Sequence, residues 1–366
     1  MQNKSLTDMK RLNLIIISLL CCCYIYPCTS AIVSGQLTRD GRPMMWKHRD
    51  TGTEHNFITR VEPTDSQIGY IALFNGGDSL LTEAWTGMND AGFAIMNTAS
   101  YNLMPDTCKL ADREGEVMKL ALQQCRTLAD FEHLLDTLPK PMGVQTNFGV
   151  IDCNGEAAYY ETDDHTYRRF LLADEPSGIL FRANYSTCGE DGCGYGYIRE
   201  KNAREQLAEA IARKNITPEM FTEGLSCRYY HSLLGHDYTD SDEQWLIDQD
   251  FIPRRSSAAS IVIEGRTSGE PVEAMTMWTV LGYPPVSHVV PATITDIPSE
   301  LQPTEEGMRA KACNEAVARK SEVFPLTYGN GSHYLSLPTV KKYAAEQRNL
   351  SREAYAKRRA ERGKIK

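Results

Sequence analysis

The hydrophobic period of this chain changes in blocks, and that limits the folds open to it. Residues 31–37 and 44–48 read as strands joined by a turn at Arg39-Asp40-Gly41-Arg42-Pro43. Residues 56–61 and 68–74 read as further strands, and 81–87 with 92–97 as a hairpin around Met88-Asn89-Asp90-Ala91. Apolar residues then recur at helical spacing over 113–125 and 128–138, where Val117, Leu120 and Leu122, then Phe131, Leu134 and Leu135, mark the inner sides. Pro139 and Pro141 end that region. Strands return at 146–152 and 157–162 around Asn154-Gly155, a strong hairpin pair, and at 166–172 and 179–185. Helices follow over 197–214 and 218–234, then strands at 258–264 and 273–279. Pairs of helices thus separate blocks of hairpins. That order favours two antiparallel sheets covered by helices over a parallel doubly wound sheet.

The chain has 366 residues, 42% hydrophobic and 24% charged, enough for one large domain or two smaller ones. Its net charge is −9. The first 27 residues carry Lys4, Lys10 and Arg11 against Asp8, so the remainder is more acidic still, which argues against nucleic-acid binding. Lys10-Arg11 followed by the apolar stretch 12–23 reads as a secretory signal, too short for a confident membrane span. The expected destination is the periplasm or the exterior, with no stable membrane span once the leader is gone. Cys21 and Cys23 suit the small −3 and −1 positions of a signal-peptidase site, giving a start at Tyr24. A cut set by Thr29 and Ala31 would discard Cys28. Pro27 is a poor residue before a signal-peptidase cut, so exposing Cys28 calls for a second, self-catalysed cleavage. From residue 340 the chain is rich in Lys and Arg and reads as a solvated, basic C-terminal helix. The expected organisation is therefore a leader and short propeptide over 1–27, a main domain over 28–339, and a tail over 340–366.

Cys28 follows the leader and opens the first strand. Freed at its nitrogen, one residue would carry a thiol and an α-amine, of pKa roughly 8.5 and roughly 7.7–8. The amine is then a usable base near neutral pH beside the group it must deprotonate. The second strand ends in Trp46-Lys47-His48-Arg49-Asp50, and a hairpin would return Asp50 to this terminus. A lipid anchor or half of a disulfide is the plainer reading of such a cysteine.

The other motifs are weaker. Of eleven cysteines three lie in the leader, and a reactive Cys28 leaves an odd number, against a full disulfide framework. Cys188 and Cys193 either close a small loop or stay as two thiols. The eight histidines show no zincin pattern, and His231 and His236, five apart near the end of an expected helix, do not share a helical face, so no metal site is expected. A cysteine–histidine protease remains open, without a local signature. Asn97 and Asn184, each near a strand end, are either turn residues or amide donors to an oxyanion. Arg254 and Arg255 are either solvated or placed to receive a substrate carboxylate.

Taken in order, these pieces resemble the Ntn hydrolases with an N-terminal cysteine. The nearest group is the choloylglycine hydrolase and penicillin V acylase set, with the autoproteolytic acyl-CoA:isopenicillin N acyltransferase-like enzymes beside it. Cys28-Thr29 is similar to the family's opening pair. Lys47-His48-Arg49-Asp50-Thr51 is similar to its Arg-Asn-x-Asp-Trp, with Lys47 at the arginine and Arg49 able to substitute. The stretch 89–97 is similar to its Asn-Glu-x-Gly-Leu segment ending in asparagine. Asn147-Phe148-Gly149-Val150-Ile151-Asp152, with Gly155 and Glu161, is similar to its central hairpin. The resemblance runs from Cys28 to about Tyr283. It implies a four-layer αββα sandwich of the α+β class. It implies Cys28, Asp50, Asn97, Asn184 and Arg255 as catalytic residues, with Arg255 preferred over Arg254 for the family's late arginine. Lys47, Arg49 and Arg254 are then substrate-binding.

The implied chemistry is cleavage or transfer of the acyl group of a linear amide, a small-molecule substrate. The thiolate of Cys28 attacks, its own α-amine acts as base through water, and a thioester forms; no metal or cofactor is required. Two alternatives stand beside it: a dipeptidase-type Ntn peptidase, and a catalytically silent secreted binding protein of the same fold. Homo-oligomerisation stays open.

Overall fold

The structure is a computed structural model that describes residues 28–103, 112–305, 307–326 and 333–365. The expected leader and propeptide, and Cys108, lie outside the described residues. In chain order the strands begin with β1 (Thr29–Val33), β2 (Met44–Asp50), β3 (Asn56–Val61), β4 (Tyr70–Asn75), β5 (Thr86–Asn89) and β6 (Ala94–Ala99). Helices α1 (Glu114–Gln124) and α2 (Leu128–Thr137) follow, then β7 (Thr146–Ile151), β8 (Ala157–Thr162), β9 (Tyr167–Leu171) and β10 (Ile179–Arg182). After α3 (Tyr197–Ala212) come β11 (Tyr230–His231), β12 (His236–Asp237), β13 (Trp245–Ile247), β14 (Ser257–Glu264), β15 (Thr276–Leu281) and β16 (Val290–Ala292). The chain closes with α4 (Lys311–Val323), β17 (Tyr334–Ser336) and α5 (Leu337–Arg362).

Two large antiparallel sheets form the middle. One has the order β10-β1-β2-β14-β15-β16 and the other runs β3 to β9 in sequence. Alternation along β1 and β2 assigns the faces of the first sheet. Ile32 and Met45 join the core shared with the second sheet. Ala31, Val33, Met44 and Trp46 face Ala203 and Leu207 of α3 and Phe221, Leu225 and Tyr355. The second sheet is covered by α1 and α2, whose Val117, Met118, Leu122, Phe131 and Leu135 pack on it. The result is helix, sheet, sheet, helix: the four-layer αββα sandwich that the sequence resemblance implies.

The local reading needs correction in several places. The first strand ends at Val33 rather than at 37, because Leu37 N turns back to Ser34 O and Gly35 passes against Gly41 O, where a side chain would collide. The turn between β5 and β6 sits later than expected: Asn89 accepts from the backbone of Ala91 and Phe93 through Oδ1 and fixes it there. The helix expected over 218–234 is a π-helical turn, Met220–Leu225, followed by the hairpin β11–β12. Phe221 and Leu225 are buried against the sheet, which satisfies the periodicity, and Tyr229 then bonds Thr239 and Tyr238 instead of continuing a helix. His231 and His236 are cross-strand partners in that hairpin rather than residues at a helix end. Residues Val272–Ala274 form a 3₁₀ turn, so the last long strand starts at Thr276. Cys188 and Cys193 carry free thiols. Among the described residues no helix is long and apolar enough to cross a membrane.

The basic C-terminal helix is docked rather than solvated. Val340, Ala344, Gln347, Ser351, Tyr355 and Arg358 form a buried stripe at helical spacing. The stripe is half polar, which hid it, and its polar members are bonded: Ser351 accepts from Val289 N at 3.1 Å and Arg358 donates to Thr276 Oγ1 at 3.0 Å. The ring of Tyr355 lies 4.4 Å from Trp278, and its hydroxyl shares a 2.6 Å hydrogen bond with Thr222. Tyr355→Ala is expected to cost about 3–5 kcal/mol in urea unfolding, the range for losing a buried aromatic, and Tyr355→Phe only about 1 kcal/mol.

Candidate active site

Strand β2 supplies most of the site, and all seven of its residues are buried. Its alternation sends Lys47 and Arg49 toward the second sheet, and His48 and Asp50 toward the helix-covered side. Cys28 is 7% exposed at the head of β1, and its thiol points to Asp50 O at 3.7 Å.

Asp50 is fixed from the far side. Its carboxylate accepts from Ser257 Oγ at 2.7 Å and pairs with Arg254. Ser257 reaches it because β14 carries an irregular register between Ser257 and Ala259, a bulge that turns the strand end toward the site. Behind Ser257 runs a chain of buried groups. Trp46 Nε1 donates to Ser260 Oγ at 3.0 Å, Ser260 meets Ser226 at 2.7 Å, Ser226 meets His48 Nδ1 at 3.1 Å, and His48 Nε2 meets Ser257 at 2.7 Å. The indole can only donate and the carboxylate can only accept, so every proton between them has one direction. His48 must then carry a proton on Nε2, because the one hydroxyl proton of Ser257 goes to Asp50. Burial, aided by Arg254 and Arg199 and opposed by Asp50, holds the His48 pKa down at about 4.

Arg199 of α3 is the group that sequence reasoning missed. It is buried, and its Nη1 donates to Cys28 O at 2.6 Å and to Thr29 Oγ1 at 2.5 Å. Nη2 donates to Asn184 Oδ1 at 2.9 Å. Gly196 makes room for it: a side chain there would strike the guanidinium. The one available signal was Gly194-Tyr195-Gly196 just before a helix, which marks a close approach without naming its partner.

Asn97 and Asn184 share one arrangement. Lys47 Nζ donates to Asn97 Oδ1 at 2.6 Å and to Trp85 O at 2.7 Å, where the β5–β6 ladder ends at Thr86 and Met96. A cation can bond only the oxygen of an amide, so both orientations are set by chemistry. The nitrogens then face Thr146 Oγ1 at 3.2 Å from Asn97 and Ala99 O at 2.8 Å from Asn184. Each amide keeps a second N–H. The loop bearing Asn184 is fixed in turn by Asn147, which donates to Ala183 O and Tyr185 O, and by Glu161, which holds Arg182 and the backbone of Thr187 and Cys188.

The two arginines of the 254–255 pair part company. Arg254 meets Asp50, whereas Arg255 pairs with Glu54 beside Lys320 and lies over Phe324. The geometry brings together Cys28, Asp50, Asn184 and Arg254 and leaves Arg255 outside, a reversal of the order expected for the pair. Arg49 bonds Asn56 and Asn75 and stacks 4.8 Å from the Trp85 ring, a bridge between the sheets. Among the described residues no carboxylate lies within 4 Å of Lys47, Arg49 or Arg199. Burial lowers the pKa of each, to about 7, about 10 and about 9, while charge on Cys28 opposes the fall in all three.

No protein-family model matches the chain, and no curated protein matches its sequence. Solved structures do resemble it. An N-acylethanolamine-hydrolyzing acid amidase ortholog of Caenorhabditis elegans aligns over 64% of this chain and 92% of its own, at 13% identity and a TM-score of 0.43. A mutant conjugated bile acid hydrolase from Clostridium perfringens covers 74% of this chain and 93% of its own, at 9% identity and a TM-score of 0.45. Penicillin V acylase from Agrobacterium tumefaciens covers 74% and 87%, at 13% identity and a TM-score of 0.45.

The neutral His48 makes stability depend on pH. Its pKa is about 4 folded and near 6.5 unfolded, so the unfolded chain takes up the proton first. Stability is lost as pH falls from 6.5 to 4 and the loss stops below that, for a total of about 3 kcal/mol at most. Urea unfolding across this window should show wild type losing more than His48→Gln, whose amide can give and accept the same two hydrogen bonds. Parallel curves would mean that His48 is protonated in the fold.

Proposed function

We propose that this chain is an autoprocessed N-terminal-cysteine amidohydrolase or acyltransferase, acting on a linear amide through a thioester. The observation that carries the reading is the meeting of Cys28, at the head of β1, with Asp50, the Arg254 that pairs with it, and the Arg199 that joins Cys28 to Asn184. Leader removal would give Cys28 an α-amine, and Asp50, whose backbone oxygen lies 3.7 Å from the Cys28 thiol, would orient it. The amine takes the thiol proton, through water, and the thiolate attacks the substrate carbonyl. The remaining N–H groups of Asn184 and Asn97 serve the oxyanion. The leaving amine departs with the proton, and water or an acceptor amine opens the thioester. A leader that delivers the chain to the periplasm or the exterior fits an enzyme that needs no activation by another protein.

The test is a panel of amides with purified protein: bile-salt conjugates, penicillin V, acyl-homoserine lactones and peptides. Wild type should cleave at least one non-peptide amide and begin at Cys28 on N-terminal sequencing. Cys28→Ala should do neither while keeping its thermal transition. Amide turnover by the Cys28→Ala protein would sink the assignment.

The two neighbouring arginines give a sharper comparison. Arg254→Lys loses the guanidinium contact with Asp50 and should lower kcat roughly 10²-fold, whereas Arg255→Lys should stay within a factor of a few. Equal losses would remove Arg254 from its assigned place.

A further inference from the structure

Self-cleavage poses a problem that the mature mechanism does not solve. Before the cut, the nitrogen of Cys28 is a peptide amide and cannot accept a proton, so the first attack needs a different base. The groups within reach are those around the hairpin that bears Cys28. Asp50 is committed to Arg254 and Ser257, and His48 donates its Nε2 proton toward Asp50 from the other side of the sheet. Arg49 and Arg199 are guanidinium groups, too basic to serve.

Lys47 remains. Ser30 is its register partner on β1, and Cys28 lies one side-chain repeat further along, so the two are diagonal cross-strand neighbours. Such neighbours stand roughly 7–8 Å apart at the backbone, within reach of a long side chain and one water. Two acceptors, Trp85 O and Asn97 Oδ1, hold the nitrogen in place. They occupy two of its hydrogens, and the third position is where a proton or a lone pair resides. We propose that Lys47 is the general base for cleavage of the bond between Pro27 and Cys28, an inference that rests on the autoprocessing reading above.

The surroundings bring the neutral amine within reach near pH 7, beside the charged form. Burial is the main cause that brings its pKa to about 7, and Arg49 adds to it, while charge on Cys28 and Glu114 of α1 opposes the fall. Its neighbours on β14 and β1, Ile261 and Ser30, carry no charge. The arginine of the related families at this position has no such neutral form near pH 7, so the lysine here changes the available chemistry. In the step itself the Cys28 thiol gives its proton to Lys47 Nζ, and the sulfur bonds the Pro27 carbonyl carbon. The carbon–nitrogen bond to Cys28 then breaks, and the nitrogen takes the proton back from the Lys47 ammonium. Water hydrolyses the resulting thioester, releasing the leader as a carboxylic acid and leaving Cys28 with a free thiol and a free amine. From that point the α-amine can serve as base, and Lys47 keeps only its grip on Asn97.

The experiment uses the full-length chain, synthesised without signal peptidase so that every cut is its own, with loss of residues 1–27 followed by intact mass from pH 5.5 to 9. The wild-type cleavage rate should rise about ten-fold per pH unit at low pH and level off above pH 7. Lys47→Arg, which keeps the charge without a neutral form, should slow cleavage roughly 10²-fold and abolish the plateau near 7. Lys47→Ala should be slow and be accelerated by added ethylamine, a readout that a purely structural role would not move. Lys47→Met, which removes a buried charge, guards against misfolding as the cause and should be slow with an intact thermal transition. Wild-type rates in Lys47→Arg, or an unchanged pH profile, overturn the inference. A wild-type chain that stays uncut at every pH overturns the self-cleavage beneath it, which is a separate result.

Discussion

The candidate site of this molecule depends on burying one charged strand. Lys47, His48, Arg49 and Asp50 are consecutive in β2 and are all nearly inaccessible to water. An ion in that position must be paired or hydrogen-bonded, since an uncompensated buried charge costs several kcal/mol. The sandwich meets the requirement by using both faces of the strand. Toward the helices, His48 and Asp50 are satisfied by Ser226, Ser257 and Arg254. Toward the second sheet, Lys47 and Arg49 are satisfied by asparagine oxygens and a backbone carbonyl. Among the described residues neither Lys47 nor Arg49 makes a direct ion pair, so both cations are held by neutral oxygens.

This constraint explains which parts of the fold were legible. The block order of hairpins and helix pairs led to two antiparallel sheets because each block keeps one period over ten or more residues. The proximity of Cys28 and Asp50 was legible because the hairpin that joins them is short in sequence. Arg199 was not, because its reach to Cys28 is set by the packing of α3 on the outer face of the first sheet, 171 positions away in the chain. The same is true of the serine chain through Ser226, Ser257 and Ser260: isolated serines carry no pattern, and only the two ends of the hydrogen-bond run reveal its direction.

Where the local reading failed, a tertiary contact had replaced a local preference. Residues 218–234 have helical spacing only as far as Leu225, after which Tyr229 finds partners in Thr239 and Tyr283 that a helix would deny it. The tail over 337–362 looked solvated because its buried stripe contains Gln347, Ser351 and Arg358, whose value lies in hydrogen bonds to particular neighbours rather than in hydrophobicity. The 254–255 pair could not be ordered from sequence at all. Successive residues point apart, and the turn in which Arg254 N bonds Ser257 Oγ and Ser257 N bonds Arg254 O accompanies the meeting of Arg254 with Asp50.

The buried cations also bear on how the two asparagines can function. An amide left to itself rotates, and it can present oxygen where a donor is required. Here Lys47 holds the oxygen of Asn97 and Arg199 holds that of Asn184, so in each case the NH₂ group is the end left to be shared. A positive charge on the carbonyl oxygen also draws electrons from the amide nitrogen and makes its N–H a stronger donor, an effect that a low local dielectric enlarges. Neither cation need touch a substrate to act in this way. The positive charge that burial strands near Cys28 is thereby converted into fixed, polarised donors, which is the form in which a protein can stabilise an anion without letting it be neutralised by a direct salt bridge.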